Sequence, residues 1–306
     1  MLINTTGSGK TRLLLEGLCH RWGFYFVAER GMSGIGSRDF ELFMSELDNA
    51  KNYAKANKKD DAGLLGPQAI EHLRKMARRR LAQLLLARFL LLQLFAQETG
   101  HLQGGLQQKE HRRLWVLLQV HPSLLGTDFE VDVFTDLTQV LHGAEMEVLE
   151  TRIRQTRVDL LQTYNLPETV PDATIVIPIP LPYFCILDEV QAASVTSPSG
   201  RLGKFMSGDN VTPRPILRDI WHYWIGVLPD QMRVVLSGTG IEYEDLNAAL
   251  AMHVGKDRGY RTVRDIGAFD SREAQANYLK RILPADWSQP TWDSFLNRAW
   301  NWLRGR

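Results

Sequence analysis

Only two cysteines occur in 306 residues, Cys19 and Cys185, which excludes a disulfide-dense scaffold and argues against a thiolate metal centre. Both lie in apolar segments and read as buried free thiols. Charge of one sign is lacking too. The 36 Lys and Arg residues balance 35 Asp and Glu, and a net charge of +1 creates no global field toward nucleic acid or membrane. Long hydrophobic runs are missing. The richest stretch, 81–96, is shorter than a comfortable bilayer span and carries Gln83, Arg88 and Gln93, so it reads as a core helix. The apolar start, Met1-Leu2-Ile3, meets a polar, Gly-rich loop at once and is no signal peptide. The histidines show no metal-ligand spacing with Cys or acids, and no internal repeat is visible.

What is present is the profile of a soluble globular chain, 44% hydrophobic and 23% charged, long enough for one large domain or two ordinary ones. Residues 11–22 read as a helix and 23–28, aromatic and β-branched, as a strand. A Gly/Ser loop covers 30–38. From 39 to 164 the pattern is helical, with Phe40, Phe43, Met44 and Leu47 at helical spacing. Pro67 opens a long helix through Phe95, 100–108 breaks it, and Pro122 and Gly143 mark later interruptions. The proline-rich stretch 167–182 is extended, because proline fixes φ and lacks a donor, and it delivers the chain to a strand over 183–187. A polar loop (196–214), a helix (215–227), a short strand (233–236), a helix (245–253), a strand (260–266) and two helices (271–283 and 291–303) complete the chain. This order predicts a doubly wound α/β fold, a parallel sheet flanked by helices, with a large all-helical insertion between the second strand and the acid-bearing strand.

Two segments carry chemistry. Thr6-Gly7-Ser8-Gly9-Lys10-Thr11 stands at the start of a helical pattern. Such a loop cradles phosphate with backbone N–H groups, while the Lys reaches the β- and γ-phosphates and the Thr hydroxyl binds Mg2+. The full pattern, G-x-x-x-x-G-K-[ST], has Asn4 in place of its first glycine, and Asn tolerates positive φ better than most residues. Read alone, the segment is also what a flexible N-terminal tail looks like. The second segment, Phe184-Cys185-Ile186-Leu187-Asp188-Glu189, is a buried strand ending in two acids. Asp188 at the strand end can hold Mg2+, and Glu189 can polarise an attacking water, although acids also favour any helix N-terminus. The candidate set is therefore Gly7, Ser8, Gly9, Lys10, Thr11 and Arg12 for nucleotide, Thr11 and Asp188 for metal, and Glu189, Ser237 and Thr239 for catalysis. Ser237 and Thr239 follow the next buried strand, where they can sense a γ-phosphate or simply make a turn. Gln191 can contact the γ-phosphate or face solvent.

These residues, with Val234-Val235-Leu236-Ser237-Gly238-Thr239, resemble the ASCE division of P-loop ATPases, in the AAA/STAND region. Glu16-Gly17-Leu18-Cys19, Trp22-Gly23-Phe24-Tyr25-Phe26 and Trp302-Leu303-Arg304-Gly305-Arg306 resemble the ATPase portion of fungal and oomycete Crinkler-type proteins. The resemblance implies a five-stranded parallel core, ATP and Mg2+ as ligands, and a larger protein with an effector domain. It divides the chain into a first core part (1–39), the helical insertion (40–170), a second core part (171–268) and a shortened C-terminal helical lid (269–306). The short first strand and the abrupt end at Arg306 read as the edges of a fragment.

Arg258, Arg261, Arg264, Arg304 and Arg306 are either phosphate-reaching arginines or surface charges. The cluster Arg74-Lys75 and Arg78-Arg79-Arg80 suggests nucleic acid, nuclear import or an acidic partner, against the alternative of a solvated helix face. The expected function is an ATP-binding, Mg-dependent ATP-hydrolysing regulatory or motor module of a larger protein; nuclear, cytosolic or secreted residence stays open, and only a membrane span is disfavoured. The expected partners are a nucleoside triphosphate and self-association or an effector domain of a longer chain. The rival is a nucleotide-gated or catalytically inactive interaction module whose helical insertion binds a partner.

Overall fold

Three segments crowded with aromatic and aliphatic residues become the full-length strands of one sheet. The computed structural model describes residues 2–3, 9–31, 34–56, 67–99, 109–125, 131–163, 184–194, 205–206, 213–214, 216–228, 232–239, 263, 271–280 and 288–303. Its elements run β1 (Leu2–Ile3), α1 (Lys10–His20), β2 (Gly23–Val27), α2 (Asp39–Ala56), α3 (Pro67–Thr99), α4 (Lys109–Val120), α5 (Val133–Val140) and α6 (Met146–Thr163). Then come β3 (Phe184–Asp188), β4 (Phe205–Met206), β5 (Pro213–Arg214), α7 (Ile216–Val227), β6 (Arg233–Gly238), α8 (Arg272–Leu279) and α9 (Gln289–Leu303). The order across the sheet is β1-β6-β3-β2, all parallel. Parallel neighbours need long crossovers, and helices supply them on both faces.

Period-two alternation sorts the strand residues between two cores. Phe24, Phe26, Cys185, Leu187 and Leu236 face the larger one, shared with α2, α3 and α7. Tyr25, Val27 and Ile186 face the other, against Leu14 and Leu18 of α1 and Val116 and Val120 of α4. The protein is thus α/β, a parallel sheet with helices on both faces. Helices α2 to α6 stand between β2 and β3 in the chain and share the sheet's larger core.

Strand β2 lies at the sheet edge, where backbone groups would otherwise be free to recruit another strand. Trp22 O and Ala28 N bond inward to β3, at 3.2 and 2.9 Å. The outward groups are met by α4 side chains. Gln119 Oε1 accepts from Tyr25 N at 2.8 Å, and Trp115 Nε1 donates to Gly23 O at 2.8 Å.

The long helix is longer than its apolar centre. At 33 residues, α3 is the one described helix long and apolar enough to cross a membrane, and 61% of that apolar window is buried inside the fold. Within it Arg88 is fully buried and paired to Asp39 at 2.7 Å. Two members of the basic cluster bind neighbouring elements. Arg79 donates to the Ala144 and Gly143 carbonyls at 2.9 and 3.0 Å, and Arg80 pairs with Glu46 at 2.6 Å. They tie α3 to α2 and to the turn before α6, where carbonyls at a helix end need donors.

The polar loop predicted over 196–214 contains a short antiparallel pair, β4 with β5. Cys19 and Cys185 are free thiols, half-buried and buried. The predicted helix 245–253, most of the strand 260–266, the stretch 167–182 and residues 4–8 lie outside the described residues, as do Arg258, Arg261, Arg264, Arg304 and Arg306.

Candidate functional site

Parallel strands present all their C-terminal ends at one edge, and the predicted residues gather there. Asp188 ends β3, opposite Val27 of β2. Ser237 stands near the end of β6, opposite Leu2 of β1. Because side chains two apart share a face, Asp188 follows Ile186 and Ser237 follows Val235 onto the α1 side. Strand β6 lies between β1 and β3, so its Ser237-Gly238-Thr239 end is next to the acid-bearing end of β3.

Helix α1 begins at the same edge. Gly9, at φ 83° and ψ 15°, is its N-terminal flanking residue in the left-handed region that glycine enters without penalty. Lys10 is 6% exposed. Burial pushes its ammonium below the ordinary lysine value, while the nearby carboxylates of Glu189 and Asp188 oppose the fall. Thr11 Oγ1 donates to Asp188 Oδ2 at 2.7 Å, across 177 residues of chain. Arg12 is exposed and pairs with Glu16 at 2.9 Å. Gly7 and Ser8 lie outside the described residues.

The Asp188 carboxylate is held at three points. Beside Thr11, the Tyr25 hydroxyl donates to the same Oδ2 at 3.1 Å, and Glu189 N donates to Oδ1 at 3.1 Å. Burial and the Asp188 charge push the Tyr25 phenol well above its ordinary value, so it stays a donor. Tyr25 went unnoticed in the sequence. Its signal was a single hydroxyl in an otherwise apolar strand, since a buried tyrosine needs a partner for its O–H.

Glu189 is the one non-glycine residue with positive φ among the described residues, at 55°. That conformation costs about 1–3 kcal/mol and gathers at functional sites. It turns the chain from β3 into the 3-10 turn Val190–Ala193. Gln191, in that turn, bonds both ways: its Nε2 donates to Glu189 Oε2, and its Oε1 accepts from Thr239 N at 3.1 Å. Ser237 is fully buried and its Oγ has no partner among the described residues. Such a hydroxyl invites a ligand or water to satisfy it.

No protein-family model, curated protein or solved structure matches this chain. The geometry of the site is therefore the ground for any functional reading. Among the described residues no group of three or more His, Cys, Asp or Glu side chains is placed to hold a metal by itself. Thr11 and Asp188 instead form a pair of hard oxygen donors. That suits Mg2+, which keeps several waters and takes other ligands from substrate phosphates. Phosphate would meet Lys10 and the first turn of α1, because a helix N-terminus favours anions.

Proposed function

We propose that the chain is an ATPase module of the P-loop type that binds Mg-ATP and hydrolyses it to ADP and phosphate. The observation that carries the reading is the 2.7 Å bond from Thr11 to Asp188, with Lys10 buried beside both acids. Nothing local brings these segments together. A structural ion pair would account for Lys10 and an acid, but not for the Thr11 hydroxyl on the same Asp188 carboxylate directly after a left-handed glycine at a helix start.

The roles follow from chemistry. Gly9 and the first turn of α1 receive the phosphate oxygens through backbone N–H groups, and Lys10 adds a cation to the β- and γ-phosphates. Thr11 and Asp188 would hold Mg2+, which supplies neutralising charge on the phosphates. Glu189 accepts the proton of the attacking water. Ser237 and Thr239, at the end of the strand beside β3, would sense the γ-phosphate.

Titration calorimetry with Mg-ATP tests the reading on the wild-type chain, Lys10→Ala and Glu189→Gln. The expected result is micromolar binding that disappears in Lys10→Ala. Glu189→Gln should bind as the wild type does and turn over only at a small residual rate. A folded wild-type chain that does not bind Mg-ATP refutes the proposal. Binding without wild-type turnover would leave the nucleotide-gated interaction module as the function.

A further inference from the structure

We infer that Gln191 is the positioning residue for Glu189, and that it ties the water-activating carboxylate to the end of β6. The inference rests on the ATPase reading above.

A general base must be held to within a fraction of an ångström of its working place. Glu189 has a flexible side chain on a left-handed backbone, and its partner among the described side chains is the Gln191 amide. The chemistry of that amide leaves one arrangement. A carboxylate accepts only, so Nε2 must face Glu189; a backbone N–H donates only, so Oε1 must face Thr239. Either bond fixes the amide for the other.

Gln191 is anchored by its own turn at one end and coupled to a second strand at the other. The 3-10 turn is packed through Val190 and Ala193, both 1% exposed. Gln191 O accepts from Ser194 N at 3.1 Å and Ser194 Oγ at 2.8 Å. On the far side, Thr239 directly follows β6, two residues beyond the buried hydroxyl of Ser237. A displacement of the β6 end by the γ-phosphate therefore reaches Glu189 through one side chain. This device stands apart from the groups that hold phosphate and metal. Losing it should spare affinity and cost turnover.

The test compares the wild type with Gln191→Met, which keeps length and packing but has no amide, and Gln191→Ala. ATP affinity and single-turnover hydrolysis are measured on chains whose circular dichroism matches the wild type. Expected is a loss on the order of 10–100-fold in the hydrolysis rate, the scale of a misplaced reacting group, with affinity within about two-fold of wild type. A second readout separates positioning from mere structure. In a Glu189→Gln background, Gln191→Met should lower the residual rate no further, because Gln191 acts only through Glu189. Unchanged or faster hydrolysis in Gln191→Met overturns the inference, as does an equal loss in both backgrounds. Absence of ATP binding by the wild type would instead refute the ATPase reading, and this inference with it.

Discussion

Replacing Arg88 by Met should unfold the protein far more readily than the loss of one surface charge would. The guanidinium makes two bonds to Asp39, at 2.7 and 3.1 Å, and the two side chains are 0% and 1% exposed. It also lies over the rings of Phe134 and Phe26, at 3.8 and 4.6 Å. Methionine keeps much of the stem's contact with those rings but leaves the Asp39 carboxylate buried and unpaired. Breaking a buried pair from one side costs about 3–5 kcal/mol. The whole stability of a domain is about 5–15 kcal/mol, so this is a large share of it. With an m-value of about 3 kcal/mol/M, the urea midpoint falls by roughly 1 M or more. Urea unfolding followed by tryptophan fluorescence and far-UV circular dichroism measures it. The companion variant is Asp39→Asn, alone and combined with Arg88→Met. Each single change strands a charge, whereas the double change strands none, so the double variant should lose no more than the worse single one. Additive losses, or a loss under about 1 kcal/mol in Arg88→Met, would refute the reasoning that this pair locks α2 and α3 onto the sheet.

Tyr25→Phe removes only the hydroxyl that donates to Asp188, and a hydrogen bond to a charged group is worth about 1.5–3 kcal/mol. If Asp188 holds Mg2+, the concentration of Mg2+ for half-maximal turnover should rise about 10-fold, and an unchanged value would separate Tyr25 from the metal site. Gly23→Ala should destabilise by about 1–3 kcal/mol in thermal melts, since a Cβ there would stand 2.3 Å from Phe184 O and 2.7 Å from a Leu18 methyl. A well-tolerated alanine would show that β2 and β3 can part locally. Burial pushes the Tyr223 phenol and the Cys185 thiol above their ordinary values of 10.0 and 9.0. The folded state then holds protons that the unfolded state releases, so the contribution of these two groups to stability is level below about pH 9 and falls as pH rises further. Tyr223→Phe should flatten that fall. At neutral pH it should be neutral or mildly stabilising, because the Tyr223 hydroxyl is buried without a partner among the described residues.

The local pattern of the chain was legible because short-range periods carry it. Aromatic and β-branched content marked 23–28 and an apolar run after the prolines marked 183–187 as strands, while helical spacing marked the helix around Phe40. Boundaries moved by a residue or two: β3 includes Asp188, and β6 runs on through Gly238. The proposed phosphate-loop residues and acids were also nameable in advance, since residue type at fixed spacing is local information.

What the amino-acid order determined alone was therefore the set of strands, helices and chemically apt residues. Which of them meet was decided by the tertiary structure. The order β1-β6-β3-β2 sets Ser237 and Thr239 beside the acids. Register and parity aim Asp188 at α1, and so at Thr11 and Tyr25. No local period encodes a bond across 177 residues. Gln191 had two readings in sequence, phosphate or solvent. The fold gave it a third, because its two partners come from different strands. In the same way the charges of Arg79 and Arg80 looked like a surface. Only packing showed that α3 directs them to carbonyls and a carboxylate of neighbouring elements, where a buried or half-buried cation must find an acceptor.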